Sequence, residues 1–280
     1  MQKIESVRDM RLLAAHLRQA DKTLARVPTM GALHAGHAAL IGMAKASAEM
    51  VVVSAFVNPL AFGPSENFAN YPRCPDADLK LCTELKVDIL FAPSAEEMFP
   101  RGHSTMVNEE AVSKPLCGAS RPTHFRGVTT AVAKLLNVVR PDVLVMGQKD
   151  AQRVAVVRKM IADLHLGVEV IVVPTVREND GLVVDVRNRD FTATQRREAL
   201  SLHAALQRAK EMVAQGVRST DRIVAEATHI LGEHRRVRVI YVSTVDPVTM
   251  EPMREVVLGG TLLALAVWVD EVRLIDNIVL

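Results

Sequence analysis

The chain has 280 residues, with 34 Lys and Arg against 32 Asp and Glu for a formal net charge of +2. That length can bury one large core or two smaller ones, and 49% apolar with 24% charged residues describes an ordinary globular protein. The near balance of charge excludes the broad basic field of a nucleic-acid or membrane binder, and with 4% aromatics no basic stripe is interleaved with stacking rings.

The first twenty residues carry charges throughout and lack the apolar core of a signal peptide. No run approaches the length of a membrane span, so the expected location is cytoplasmic. Strand-like apolar runs fall at 24–27, 50–57, 88–92, 143–146 and 168–173. Helix-like stretches lie at 6–20, 37–48, 76–86, 128–139 and 151–164. This alternation predicts an α/β, Rossmann-like parallel sheet with helices on both faces over 1–175. Near Pro174 the pattern changes. A long helix over 193–215, capped by Thr192 or Thr194, a shorter one after Thr220, and strands at 236–243, 261–269 and 272–279 predict a smaller α+β domain over 176–280. Cys74, Cys82 and Cys117 lack metal-ligand spacing and read as reduced thiols. Asp76 and Asp78 read as the solvated face of their helix, with a metal contact as the alternative.

The most informative stretch is VPTMGALHAGH, Val27 to His37. A strand runs into Pro28, then a turn in which Gly31 permits a tight bend or close approach, then His34 and His37 at the start of a helix. Imidazoles at this spacing share one helix face. They stand beside free backbone N–H groups and the positive end of the helix dipole, a combination suited to a triphosphate or a departing pyrophosphate. Taken alone, the pair also reads as two surface histidines. The turn after Val27, the segment FVNPLAFG from Phe56 and the turn MGQKD from Met146 all follow strands, so they are expected to converge on one crevice at the carboxyl ends of the sheet.

The HxGH pattern resembles the nucleotide-binding signature of nucleotidyltransferases and class I aminoacyl-tRNA synthetases. Together with FVNPLAFG, Tyr71-Pro72-Arg73, HFRGVTTAVAKL from His124, MGQKD, VPTVREND from Val173, Arg187-Asn188 and RLIDN from Arg273, it resembles the pantothenate synthetase (pantoate–β-alanine ligase) family over nearly the whole chain. The resemblance implies a ligase that uses Mg-ATP (ATP and Mg²⁺) to turn a small carboxylic acid into an acyl adenylate, then joins it to a small amine. It implies a homodimer, no protein metal ligands, and no nucleic-acid or membrane partner. It assigns His34, His37, Lys149 and Arg187 to the phosphates, and Met30, Gly147, Asp150, Val176 and Asp185 to nucleotide- or acyl-binding positions. Asn58, Ala61 and Arg153 fall in the acid pocket. Asn58 reads equally as a turn former, and Asp150 also reads as a helix cap.

The chain departs from the family pattern in that pocket. Ala61 and Arg153 stand where the family has glutamines that grip pantoate, and Asp185-Val186 replace two serines before the arginine. Gln148 replaces a glutamate. A pocket that loses both amides discriminates differently among acids, so the expected acid is one other than, or in addition to, pantoate. Arg153 either reads a second anionic group or pairs with a nearby acid. Asp185 pairs with Arg153 or Arg187, binds Mg²⁺, or receives the amine. An ordinary pantoate ligase, an adenylating enzyme without ligation and a non-catalytic nucleotide-binding homologue are the alternatives.

Overall fold

A computed structural model of the chain describes residues 1–63 and 68–280. Its elements in order are β1 (Gln2–Ile4), α1 (Val7–Gln19), β2 (Leu24–Thr29), α2 (Ala35–Ser47), β3 (Met50–Ala55), α3 (Pro75–Glu84), β4 (Ile89–Phe91) and the short α4 (Ala95–Met98) and α5 (Cys117–Ser120). Then come α6 (His124–Val139), β5 (Val143–Gly147), α7 (Ala151–Asp163), β6 (Glu169–Val173), α8 (Ala193–Ala214), α9 (Thr220–Gly232), β7 (Val237–Val245), β8 (Leu262–Val269) and β9 (Val272–Val279). The chain forms two compact units, Met1–Glu109 with Thr123–Gly147 and Val156–Pro174, and Glu110–Pro122 with Gln148–Ala155 and Thr175–Leu280. A single sequence break after residue 175 does not convey that division, because two short segments that precede it join the second unit.

The first unit holds a six-stranded parallel sheet in the order β1-β4-β3-β2-β5-β6. Successive strand residues point to opposite faces. Leu24, Val52 and Phe91 therefore enter one core with α1 and α6 residues, while Ala25, Val27, Val51 and Val53 enter the other with residues of α2 and α3. Each fully buried aliphatic side chain contributes roughly 1.5–3 kcal/mol. The second unit holds an antiparallel sheet, β7-β8-β9, packed with α8 and α9 around its own core. Thr192 caps α8 reciprocally with Gln195. Among the described residues no helix is long and apolar enough to cross a membrane.

Three of the differences from the sequence reading have a clear physical reason. β1, three residues long, has no periodicity of its own and exists through pairing with β4. α6 starts at His124 rather than residue 128, where it packs against the 3₁₀ turn Pro59–Ala61. β2 continues through Pro28 to Thr29. The Thr23 and Thr29 carbonyls accept from the N–H groups of Met50 in β3 and of Phe56 directly after it, whereas that of Leu24 accepts from Asp142 on the opposite side. Alternation turns Pro28 toward β5, where the ladder ends at the Arg26–Leu144 pair, so its missing N–H costs no bond.

Candidate active site

In the first unit the end of β2 is fixed before the histidines begin. The Thr29 hydroxyl donates to the Ser54 carbonyl at 2.9 Å and accepts from the Gly31 N–H at 3.2 Å. Gly31 has φ +78° and Ala32 φ +50°, so two consecutive residues occupy the left-handed region. The Asp78 carboxylate holds them there, accepting from Ala32 N–H at 3.0 Å and Leu33 N–H at 2.7 Å. A Cβ on Gly31 would stand 3.1 Å from that carboxylate. Asp78 is buried. It is therefore not part of a solvated helix face, and each of its oxygens holds one N–H of the turn. Burial, with the Asp78 charge, pushes the Cys82 thiol up to about 11.

The turn delivers His34 to the N-cap of α2 and His37 to the third position of its first turn. His34 Nδ1 accepts from the Gly36 N–H and His37 Nδ1 accepts from the His34 N–H, both at 3.2 Å, with ring centroids 4.1 Å apart. An Nδ1 that accepts is unprotonated, so in each neutral ring the proton sits on Nε2. Gly36 allows the close packing, since a Cβ there would lie 3.0 Å from the His34 ring. The motif spacing thus satisfies two orphan helix N–H groups and yields two Nε2–H donors at the positive end of a helix. Nearby, Asn58 donates from Nδ2 to the Gly127 carbonyl at 2.9 Å and accepts on Oδ1 from Leu60 N–H at 3.1 Å. Its amide forms the turn and also ties it to α6. Ala61 offers a methyl group, and its carbonyl lies 2.9 Å from His124 Nδ1. Met30 follows β2 directly, and Gly147 ends β5 opposite Val173.

In the second unit, Lys149 and Arg187 meet on one carboxylate. Lys149 Nζ donates to Asp185 Oδ2. Arg187 donates from Nε to Asp185 Oδ1 at 2.8 Å and from Nη2 to Oδ2 at 2.6 Å. Asp185 also caps the 3₁₀ turn Val186–Asp190, accepting from the Arg187 N–H at 3.0 Å. Its side chain is 8% exposed. Burial acts to raise the carboxyl, but the charges and hydrogen bonds of Arg187 and Lys149 outweigh it and hold Asp185 well below the usual carboxylate range. Of the partners open to Asp185 from sequence, the structure selects Arg187 and adds Lys149. Arg153 is not among them, because its Nη1 pairs with Asp150 Oδ2 at 3.1 Å, one turn away.

The clamp has supports that the motif reading did not identify. Asn277, from the C-terminal RLIDN, donates to the Gln148 and Lys149 carbonyls at 3.0 Å each, and its Oδ1 accepts from Gln148 at 3.1 Å. The Arg273 carbonyl accepts from Arg187 Nη1 at 2.6 Å. The Val176 carbonyl accepts from the Val184 N–H at 3.1 Å, closing the hairpin that presents Asp185. Gln152 accepts from the Cys117 N–H at 3.0 Å. The segment motifs were visible in sequence, but these roles depend on partners more than a hundred residues away in the case of Asn277. Among the described residues no group of His, Cys, Asp and Glu is arranged to hold a metal.

The sequence model of the family described as Pantoate-beta-alanine ligase matches residues 2–279. The chain belongs to the pantoate–β-alanine ligase family. It is 44% identical over 280 residues to the pantothenate synthetase of Moorella thermoacetica, covering 100% of this chain and 99% of that one. It is 47% identical over 279 residues to that of Heliobacterium modesticaldum, at the same coverage. The crystal structure of pantothenate synthetase from Thermus thermophilus matches with a TM-score of 0.94 at 40% identity, covering 99% of each chain. That of pantoate-beta-alanine ligase from Francisella tularensis, complexed with beta-gamma ATP and beta-alanine, matches with a TM-score of 0.82 at 28% identity, covering 100% of this chain and 97% of that one. As a member of this ligase family, the protein is an ATP-dependent enzyme that forms an amide bond and releases AMP.

Proposed function

We propose that the protein activates a small carboxylic acid other than pantoate, and couples it to β-alanine or a similar small amine. A carboxylate oxygen attacks the α-phosphorus of ATP and the bond to pyrophosphate breaks. The amine nitrogen then attacks the acyl carbon and loses a proton, and AMP leaves with the C–O electron pair. The observation that carries the nucleotide half is the locked histidine pair, since two Nε2–H donors at a helix N-terminus suit phosphate oxygens. Lys149 and Arg187 take the phosphate contacts, and Met30, Gly147, Asp150 and Val176 the acyl or nucleotide contacts, that the family resemblance implies. Asp185 is then an internal counter-ion that the nucleotide displaces. With both its oxygens held by cations, it is a poor Mg²⁺ ligand, and Mg²⁺ is brought on the phosphates themselves.

The altered acid rests on Ala61 and Arg153, which remove two amides that grip pantoate. A pocket without those donors gains little from the hydroxyls of pantoate. The pairing of Arg153 with Asp150 gives it a partner already. The names of the relatives support a second reading, in which pantoate itself is the acid. The protein is proposed to act in the cytoplasm as a homodimer, which light scattering on the purified chain tests. The deciding assay is β-alanine-dependent AMP release from Mg-ATP across a panel of acids. Turnover fastest with an acid other than pantoate supports the proposal, and turnover fastest with pantoate selects the second reading.

A further inference from the structure

Arg26 is the least compensated charge among the described residues of the first unit. It sits in the middle of β2, between Ala25 and Val27, and is 1% exposed. Its Nε and Nη2 both donate to one hydroxyl, Ser54 Oγ, at 3.2 and 3.0 Å. Nη1 is buried with no hydrogen-bond partner among the described residues. No described carboxylate pairs with it, and burial alone pushes its pKa down to about 9. A guanidinium removed from water without an anion is costly, and a buried cation is ordinarily paired. An aliphatic residue at this position would join Leu24 and Val52 in the apolar core on the same face.

The direction of the side chain matters as much as its burial. Arg26 is in register with Val52, whereas Ser54 is in register with Pro28. The guanidinium therefore reaches two residues along the sheet toward the carboxyl ends of the strands, where ligands of such sheets bind. Met30 and Asn58, the positions implied for the acid, follow the ends of these two strands in sequence, two residues after Pro28 and four after Ser54.

We propose that Arg26 is a buried receptor for a second anionic group, a carboxylate or a phosphate, carried by the acid substrate. The proposal rests on the reading that the acid is not pantoate. It transfers to Arg26 the role that sequence alone offered to Arg153, because Arg153 already has Asp150 and Arg26 has no acid partner among the described residues. The free Nη1–H and the planar fork suit an anionic oxygen pair.

The test combines two measurements on the whole protein and on its Arg26→Leu and Arg26→Lys variants. One is acid-dependent exchange of pyrophosphate into ATP with pantoate, malate or phosphoglycolate, and the other is melting temperature without acid. Arg26→Leu is expected to melt several degrees above the wild type, because an unpaired charge leaves the core, yet to lose exchange with the preferred dianionic acid at least tenfold. Arg26→Lys is expected to keep part of that exchange. Malate and phosphoglycolate separate a carboxylate from a phosphate as the group read. Arg26→Leu that exchanges like the wild type with every acid overturns the proposal, as does one that melts lower or fails to fold. If the wild type exchanges fastest with pantoate, the altered-acid reading fails and this one with it. A wild type that prefers a monoanionic acid other than pantoate overturns the role of Arg26 alone.

Discussion

The histidine turn of the first unit and the Lys149–Asp185–Arg187 cluster of the second present the groups proposed to bind phosphate in opposite states. His34 and His37 fix their Nδ1 atoms on backbone N–H groups and keep both Nε2–H donors oriented by the helix start. Lys149 and Arg187 instead share one carboxylate of the protein, which offsets one of their two charges. The histidines are preorganised, so little reorganisation accompanies ligand binding. The cations must exchange one anion for another, so their contribution to binding is reduced by whatever holds them to Asp185. The comparison teaches that residue identity alone does not set the strength of a phosphate site, since the internal partners of each group decide how much of its charge is available.

The largest expected effect separates the two regions directly. His34→Ala removes both the cap and a donor, and should slow pyrophosphate exchange by about 10²–10³-fold. His34→Asn restores the cap and should recover stability but not rate, as thermal melting beside the exchange assay will read. Equal rates for His34→Asn and wild type would reduce the histidine to a structural cap. Next comes the support of the turn. Asp78→Ala leaves two buried N–H groups without their charged acceptor and should cost about 2–4 kcal/mol in urea unfolding. Asp78→Asn, which keeps one acceptor oxygen, should cost less.

The smallest effect bears on the clamp. Asp185→Ser frees both cations and should tighten binding of a non-hydrolysable ATP analogue by about tenfold in calorimetry, roughly 1.4 kcal/mol. Weaker binding would show that Asp185 orients the clamp rather than opposing the nucleotide. The same residue predicts a pH dependence. A carboxyl held lower in the folded than in the unfolded chain contributes stability above its ordinary pKa, and that contribution disappears as pH falls through the folded value. The stability advantage of wild type over Asp185→Asn should therefore be complete at neutral pH and shrink in acid. An advantage that persists unchanged to pH of about 2 would assign it to packing rather than charge.

The sequence by itself determined the alternating α/β pattern, the α+β character of the second domain, the family and the placement of the histidines at a helix start. Each of these follows from short-range rules, such as apolar periodicity, turn chemistry and a capping motif complete within four residues, His34 to His37. Tertiary structure alone decided which charges are available. Asp78 looks solvated until the turn at Ala32 and Leu33 folds onto it from 45 residues away. Sequence leaves Arg153 open between reading an anion and pairing with an acid, and the fold pairs it with Asp150, while the sheet buries Arg26 with no acid partner among the described residues. Burial and pairing depend on what other segments bring to the same place, and electrostatic strength is set by both. Those distances lie outside any local pattern, so the chemical types of the site were legible while its balance of charge was not.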